Sequence, residues 1–160
     1  MLAARLVLRT VRGVETKGWR ARRLSFEPQR LALTVVLEDD TEQHVGADSG
    51  STLLEALERS DFSDVWEGGA CGGACNCSTC RVYIDEPWAG QFPSRDDDET
   101  EMLEQAADQE DDEEEAEDYM APRSRLSCQL RLGPEHQGLV VRLPELLINM
   151  MEIPLWMRKR

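Results

Sequence analysis

The sequence has no long apolar run and no recognisable catalytic motif. Its longest apolar stretches, at residues 31–37 and 146–157, fall short of the roughly 20 consecutive apolar residues that a membrane-spanning helix needs. Paired catalytic carboxylates, a nucleophile triad and a phosphate-binding loop are missing, and the two histidines, His44 and His136, belong to no motif. These absences predict a soluble protein with no stable membrane insertion that is not an enzyme.

Basic residues are scarce beyond residue 30. The chain carries 18 Lys and Arg against 32 Asp and Glu, for a net charge of −14. Residues 1–30 nevertheless hold eight basic side chains and only two acidic ones. The first segment therefore carries about +6 and the rest of the chain about −20, which indicates two segments with different roles. We expect no nucleic-acid partner.

The basic segment has the pattern of a targeting sequence. On a helix, Arg5, Arg9 and Arg12 share one narrow arc, and apolar side chains fill the opposite side. An Arg-rich, acid-poor amphipathic segment is typical of a mitochondrial transit peptide. We therefore predict that residues 1–28 direct the chain to the mitochondrial matrix, with a membrane-surface helix or a disordered basic tail as the alternatives.

The first half of the remaining chain predicts two strands, a helix and a loop. The β-rich stretch 31–37 and the alternating stretch 41–47 are separated by an acidic turn, which predicts a hairpin. Leu53, Leu54 and Leu57 supply the apolar stripe of a short helix that reaches about Ser60. The Gly-, Ala- and Cys-rich residues 66–80 predict an irregular loop, and residues 81–84 a strand.

The second half contains a low-complexity acidic tract at 96–118. Residues 99–107 have helical spacing around Met102 and Leu103, whereas self-repulsion predicts a disordered or frayed loop for residues 108–118. Residues 125–132 and 139–143 predict a second hairpin, residues 145–152 one or two helical turns, and the C-terminal residues a frayed tail. The order of elements predicts a small α+β fold with a mixed sheet.

The cysteines are clustered in a way that indicates metal binding. Four of the five lie within residues 71–80, too close together for a disulfide framework. Cys71, Cys77, Cys80 and Cys128 would provide the two thiolates that each iron of a 2Fe–2S cluster requires. The residues between the first three are small, so backbone N–H groups can approach the inorganic sulfides. The spacing thus predicts a loop that wraps the cluster and a fourth ligand from a distant strand.

Three other interpretations fit the cysteine pattern less well. Structural zinc usually takes two CxxC pairs, and only Cys77 and Cys80 form one here. A thioredoxin-like redox pair at those two residues would leave the other three cysteines unexplained. Plant-type ferredoxin spacing would require a ligand at Asn76.

Three segments of the chain resemble the adrenodoxin-type 2Fe–2S ferredoxins, in particular those of bacterial and mitochondrial cluster assembly. These segments are the cysteine loop, RSRLSCQLRL at 123–132 and GLVVRLPELLINMME at 138–152. The resemblance covers about residues 31–150 and implies a β-grasp fold with one 2Fe–2S cluster near its surface. It also implies that Cys71 and Cys77 hold the outer iron and Cys80 and Cys128 the inner one. The corresponding domain is residues 29–152, with an acidic insertion at about 108–120, followed by a tail at 153–160.

The resemblance also implies partners for a monomeric carrier. Electrons would come from an NADPH-dependent flavoprotein ferredoxin reductase and pass to a cluster-assembly scaffold and desulfurase complex or to a mitochondrial cytochrome P450. Carboxylates on the helix before the fourth ligand would dock basic patches of these partners, because opposite charge speeds encounter. The matching positions are Asp97, Asp98, Glu99, Glu101 and Glu104.

Three features distinguish this chain within the family pattern. Cys75, two residues before a ligand, resembles the bacterial cluster-assembly ferredoxins and favours cluster assembly over P450 reduction. Arg81 stands where the family usually has histidine, and the stretch before Cys128 is about eleven residues longer than usual, an excess that loop-closure entropy tolerates.

A third interpretation of the function, besides cluster assembly and P450 reduction, is a structural bridge subunit of a respiratory complex. Four intact ligands argue against it, because a structural role would not require them.

Overall fold

The computed structural model describes residues 29–60, 66–145 and 147–159, so the predicted targeting segment 1–28 lies outside the described residues. Three short 3₁₀ turns accompany the helices and strands, at Ala89–Gln91, Ser127–Gln129 and Pro134–His136. The strands and helices, in chain order, are β1 (Arg30–Val36), β2 (Glu42–Asp48), α1 (Leu53–Glu58), β3 (Arg81–Ile84), α2 (Asp97–Ala107), α3 (Glu113–Met120), β4 (Ser124–Leu126) and β5 (Val140–Arg142).

The five strands form one mixed sheet in the order β2-β1-β5-β3-β4. Strand β1 pairs antiparallel with β2 and parallel with β5, where Thr34 lies opposite Val140. Strand β3 pairs antiparallel with both β5 and β4. The predicted α+β fold with a mixed sheet is confirmed. None of the described helices combines the length and the apolar composition that crossing a bilayer requires.

The first hairpin and the helix that follows it form as their sequences predict. Leu31, Leu33 and Val35 alternate along β1 and are buried, which places the core on one face of the hairpin. Thr52 and Glu55 form a capping box at the start of α1, so the backbone N–H groups at both positions have partners. The buried side chains of α1 and α2 join those of the sheet in one hydrophobic core.

The predicted second hairpin is wrong, because β4 and β5 both pair with β3 and not with each other. The chain between them is held elsewhere. Leu53 N–H donates to Leu130 O at 2.8 Å, and Leu132 N–H donates to Ser51 O at 2.9 Å. The backbone of residues 130–132 therefore binds the start of α1 and is not free to pair with β5.

The acidic residues 113–120 form helix α3, so the prediction of a disordered loop over 108–118 is wrong for this part. Asp112 accepts hydrogen bonds from Glu114 N–H and Glu115 N–H, and acidic side chains in the first turn complement the helix dipole. At the other end, the Arg95 side chain donates to the carbonyls of Met120 and Ala121. The hydrogen bonds and charges at the two ends of α3 therefore outweigh the repulsion among its carboxylates.

The residues after β5 also differ from the prediction. Within the described residues 147–152 the chain makes a turn and no helix, because Met150 N–H donates to Cys77 O at 3.0 Å. The tail is not frayed up to residue 159. Lys159 Nζ donates to Asp111 Oδ1 at 2.8 Å, which fastens the tail to the connection between α2 and α3.

Candidate functional site

The cysteine loop, residues 66–80, joins α1 to β3 and is irregular, as predicted. Several of its residues adopt positive φ angles, which turn the backbone tightly. At Gly73, with φ +89°, a Cβ atom would lie 3.8 Å from the Cβ of Cys128. That distance is an ordinary contact, so glycine is favoured here by the positive φ angle, which brings the loop against the element that carries the distant cysteine.

The structure brings the four predicted ligands together as two thiol pairs. Cys71 and Cys77 are close enough for each thiol to influence the pKa of the other, and so are Cys80 and Cys128. Cys77, Cys80 and Cys128 are buried, while Cys71 is half-buried at the surface of the loop. The family resemblance implies that the first pair holds the outer iron and the second pair the inner one, and this assignment stays a prediction.

Backbone N–H groups stabilise the thiolate of Cys71. Burial opposes its ionisation, but N–H donation from Asn76, contact with the Cys77 thiol, and N–H donation from Gly73 and Ala74 outweigh it and lower the pKa of Cys71. These donors come from the small residues of the loop. The same groups would donate to a metal-bound sulfur, as in iron–sulfur proteins generally.

The thiols of Cys80 and Cys128 shift each other's pKa in opposite directions. The Cys80 thiol donates to Cys128, which lowers the pKa of Cys128 to about 7 and raises that of Cys80. Gln129 Nε2 also donates to Cys128 Sγ at 3.2 Å. By contrast, burial first, and then the negative charge of Cys128, raises the pKa of Cys75 to about 12, so Cys75 remains a thiol.

The donor set fits a two-iron cluster. Within the described ranges, no group of three or more His, Cys, Asp or Glu side chains is arranged so that it could hold a single metal ion. A 2Fe–2S cluster needs two cysteine sulfurs on each iron, and two thiol pairs satisfy that requirement. A four-cysteine zinc site needs all four sulfurs around one ion, so the pairing favours the cluster.

Hydrogen bonds fix the inner half of the loop to the residues after β5. Ser78, at φ +59°, places its hydroxyl 2.6 Å from Cys77 O and 2.5 Å from Ile148 O, and these two carbonyls share its single donated proton. Thr79 Oγ1 lies 3.1 Å from Cys77 Sγ and accepts from Ala70 N–H at 3.0 Å. No sequence pattern indicates these roles beyond the small size of the two side chains.

Arg81 occupies the position of the family's usual histidine and makes a different connection. Its side chain is buried, and its guanidinium carbon lies 3.7 Å from the centroid of the Tyr119 ring on α3. Tyr119 Oη in turn accepts from Ile148 N–H at 2.9 Å. An arginine–tyrosine stack therefore links β3 to α3, and the tyrosine hydroxyl links α3 to the segment that holds Ser78.

Helix α2 presents its carboxylates beside the cysteine loop. Asp97, Asp98, Glu101 and Glu104 are exposed, as the docking hypothesis requires. Residues of this face, among them Asp98 and Glu101, line a cavity of about 310 Å³ together with Ala74, Cys75 and Asn76. The acidic face is thus continuous with the outer surface of the loop.

Glu99 does not belong to this face, and its assignment to the docking set is corrected. It is 1% exposed and accepts from Arg125 Nε and Nη2 at 2.9 Å each, and from Leu126 N–H at 2.7 Å. The helical spacing carried this information, because Glu99 lies on the same face as the buried Met102 and Leu103.

Comparison with known proteins agrees with this geometry. Residues 36–133 match the 2Fe–2S iron–sulfur cluster binding domain family. Rhodocoxin from Rhodococcus erythropolis is 36% identical over 116 residues, which are 71% of this chain and 94% of rhodocoxin. The mitochondrial adrenodoxin homolog of Saccharomyces cerevisiae is 30% identical over 121 residues, which are 76% of this chain and 62% of the yeast protein.

A solved structure shows the same fold. Putidaredoxin, in a covalent complex with putidaredoxin reductase, superposes with a TM-score of 0.58 and 31% identity, covering 71% of this chain and 97% of putidaredoxin. The family match, the relatives and the fold agree with one another. The chain therefore belongs to the adrenodoxin-type 2Fe–2S ferredoxins, and it is an electron carrier with one 2Fe–2S cluster.

Proposed function

We propose that this ferredoxin carries single electrons from an NADPH-dependent flavoprotein reductase to iron–sulfur cluster assembly in the mitochondrial matrix. The observation that carries the proposal is the position of two thiol pairs beside an exposed acidic helix face. The cluster supplies a centre that gains and loses one electron. Everything else in the proposal concerns how this chain holds that centre and presents it.

Cys71 and Cys77 hold one iron in this proposal, and Cys80 and Cys128 hold the other. The loop N–H groups lower the pKa of Cys71 and so favour its thiolate. The Cys80 thiol and the Gln129 amide have the same effect on the pKa of Cys128. Because hydrogen bonds to the sulfurs help set the potential of such clusters, these donors also tune the carrier.

The docking face comprises Asp97, Asp98, Glu101 and Glu104. Four carboxylates on one exposed face attract a basic partner and release it readily, which suits a carrier that must meet two partners in turn. A reductase is supported as one partner by putidaredoxin, which is 31% identical and forms a complex with its reductase.

Two observations support the mitochondrial and biosynthetic parts of the proposal. The first is the basic, acid-poor segment 1–28, together with the mitochondrial designation of the yeast relative. The second is Cys75, which the sequence pattern associates with cluster assembly and which lies at the surface between the loop and α2. Its raised pKa suits a side chain that leaves the cluster ligation to its neighbours.

The test has three parts. The purified protein is expected to show the visible absorption of a 2Fe–2S cluster, and its reduced form a rhombic S = 1/2 EPR signal. NADPH with an adrenodoxin-type reductase is expected to bleach it, and a cluster-assembly scaffold and desulfurase mixture to reoxidise it. Faster reoxidation by a mitochondrial cytochrome P450 would instead identify P450 reduction as the function, and a stable megadalton assembly on sizing would identify a bridge subunit.

Localisation is tested separately by import. Radiolabelled full-length chain is incubated with isolated, energised mitochondria and then with protease. The expected result is a shortened, protease-protected product that appears only when the membrane potential is intact. A chain that starts at Gln29 serves as the control and is expected to remain outside.

A further inference from the structure

The acidic insertion, residues 108–120, contributes one buried side chain from its helix. Tyr119 on α3 is 0% exposed, whereas the other residues of that helix are exposed or half-buried. Most side chains of the insertion are carboxylates, so an ordered insertion bears a repulsion that an extended, solvated loop would avoid. The contacts of Tyr119 therefore indicate what the ordered insertion contributes to the protein.

The Tyr119 side chain connects the insertion to the residues that follow β5. Its hydroxyl oxygen accepts from Ile148 N–H at 2.9 Å, and the hydroxyl donates to the Glu110 carboxylate. The Arg81 guanidinium carbon lies 3.7 Å from the centroid of the ring and keeps the ring in place. One tyrosine thus binds both the α2–α3 connection and the segment after β5.

The segment after β5 in turn holds the inner half of the cysteine loop. Ile148 O lies 2.5 Å from the Ser78 hydroxyl and accepts from it. Two residues later, Met150 N–H donates to Cys77 O at 3.0 Å, and the Met150 side chain is buried in the core. Ile148 therefore binds α3 through its N–H and the cysteine loop through its C=O.

The far end of the same segment binds the insertion a second time. Lys159 N–H donates to Gln109 Oε1 at 2.9 Å. The Lys159 ammonium donates to three oxygens of the α2–α3 connection at 2.8–2.9 Å, namely Gln109 O, Glu110 O and Asp111 Oδ1. Arg158 Nη2 donates to Met150 O at 2.6 Å, which links this end back to the residues beside the loop. Residues 147–159, which we call the strap, are thus bound to the insertion at both ends.

We propose that the acidic insertion braces the cysteine loop through the strap, with Tyr119 as the positioning residue. The loop needs such support, because Ser78 has a φ of +59°, a left-handed conformation that a non-glycine residue keeps only where its surroundings fix it. Cys77, beside it, is a predicted ligand, and the groups that surround a ligand keep it oriented toward the metal. This role is the same whichever partner receives the electron.

The first measurement is the rate at which the cluster is lost. Purified holo-protein is mixed with an iron chelator in native buffer, and the visible absorbance is followed. Tyr119→Phe keeps the ring and its stack with Arg81 but removes the hydroxyl. Because the chelator reaches the irons when the loop opens, we expect release to be about fivefold faster, the factor that corresponds to one ordinary hydrogen bond.

The second measurement is the EPR spectrum of the reduced protein. Reduced Tyr119→Phe is expected to show broader lines at unchanged mean g values, because a loop that has lost one point of attachment places the sulfurs in a wider range of positions. A freshly purified sample of the variant is expected to contain as much iron as the wild type.

Val45→Ala is the matched control for a loss of stability alone. Val45 is buried on β2, the edge strand farthest from β4, and lies outside the brace. Removing two methyl groups from the core is expected to lower the urea midpoint at least as much as Tyr119→Phe does. The control is expected to keep the wild-type release rate and EPR line width. If the release rates of the two variants rise in proportion to their losses of stability, Tyr119 acts only through global stability and the inference is overturned.

Lys159→Met tests the second attachment of the strap. It removes the ammonium but keeps the backbone bond to Gln109, and because the side chain is partly exposed we expect release to become roughly twofold faster. Arg30→Met, which breaks an exposed ion pair with Asp48 at 3.3 Å and changes the net charge equally, is expected to leave release unchanged. Wild-type release rates in both Tyr119→Phe and Lys159→Met would likewise overturn the inference.

Discussion

Glu99 and Arg125 form a two-bond ion pair in the interior, with side chains 1% and 7% exposed. Glu99 lies in the first turn of α2, and Arg125 lies on β4, three residues before the cysteine at position 128. Because Glu99 also accepts from Leu126 N–H, the pair fixes α2 to the strand that leads to the fourth predicted ligand.

Replacing Glu99 is therefore expected to destabilise the protein. Glu99→Gln leaves the Arg125 guanidinium buried without its counter-charge, and breaking a buried pair in this way costs about 3–5 kcal/mol. Urea unfolding followed by far-UV circular dichroism measures the loss. Glu101→Gln, on the exposed face of the same helix, is the matched control and is expected to change the unfolding free energy by less than about 0.5 kcal/mol. Equal effects of the two substitutions would contradict the ion-pair assignment.

The five cysteines provide an internal comparison for cluster binding. Serine in place of Cys71, Cys77, Cys80 or Cys128 is expected to abolish or strongly alter the visible absorption and EPR signal, because each iron needs two thiolates. Cys75→Ser is expected to leave both spectra unchanged. A variant of the first four with full wild-type iron content and spectrum would remove that residue from the ligand set.

Electron transfer from the reductase is expected to fall steeply as salt rises, since exposed charges are screened over about 10 Å at 0.1 M ionic strength. Replacing the four exposed carboxylates of α2 with amides is expected to lower the rate at low salt and to flatten the salt dependence. The matched control neutralises four exposed carboxylates of α3, namely Glu113, Glu114, Glu115 and Glu117, and changes the net charge equally. Identical kinetics of the two variants would show that net charge acts and not a docking face.

Tyr119→Phe tests how α3 is attached. The hydroxyl accepts from Ile148 N–H at 2.9 Å, and its removal leaves that half-buried donor without its partner, at a cost of about 1 kcal/mol. The stack with Arg81 is retained, so the loss reports the hydrogen bonds of the hydroxyl, to Ile148 N–H and to the Glu110 carboxyl. Unfolding in urea measures it, with Glu117→Gln on the exposed face of α3 as the control.

His136 is expected to make stability depend on pH. Its ring is buried and stacked on Phe92 at 4.0 Å, and Nδ1 accepts from Gly133 N–H at 2.8 Å, so the native state holds it neutral. Burial lowers its pKa below the value of about 6.5 that it has when unfolded. The unfolded chain then binds more protons, and stability falls as pH drops below that value.

The measurement is the melting temperature between pH 8 and pH 5.5. His136→Gln is expected to lose the part of the decline that lies below pH 6.5, whatever its stability at pH 8. His44→Gln, at an exposed position, is expected to keep the wild-type profile. If the melting temperature of the His136→Gln variant falls below pH 6.5 as much as that of the wild type, other groups cause the decline.

Sequence patterns were sufficient to predict an element where the residues that determine it are neighbours in the chain. The β-rich composition of residues 31–37 predicted β1, and the leucine stripe at positions 53, 54 and 57 predicted α1, because those signals lie within a few residues of each other. The spacing of the cysteines predicted an irregular loop that carries the first three predicted ligands, because the small residues between them allow the backbone to turn tightly. The structure adds the pairing geometry and the donors.

The errors arose where distant residues compete for the same backbone. Residues 130–132 have the pattern of a hairpin strand, but they bind the start of α1, which lies far away in sequence. Charge density alone predicts disorder for the tract at 108–118, but the Asp112 cap and the buried Tyr119 stabilise a helix there. Composition alone places Glu99 with its acidic neighbours, whereas its buried partner Arg125 is supplied by strand β4.

Strand β5 lies between β1 and β3, although it is the last strand of the chain. A nascent polypeptide that ends before Val140 has a gap where the two halves of the sheet must join. The first hairpin and the β3–β4 pair then lack the strand that connects them. We therefore expect assembly to be a single late event, in which no shorter N-terminal fragment retains iron.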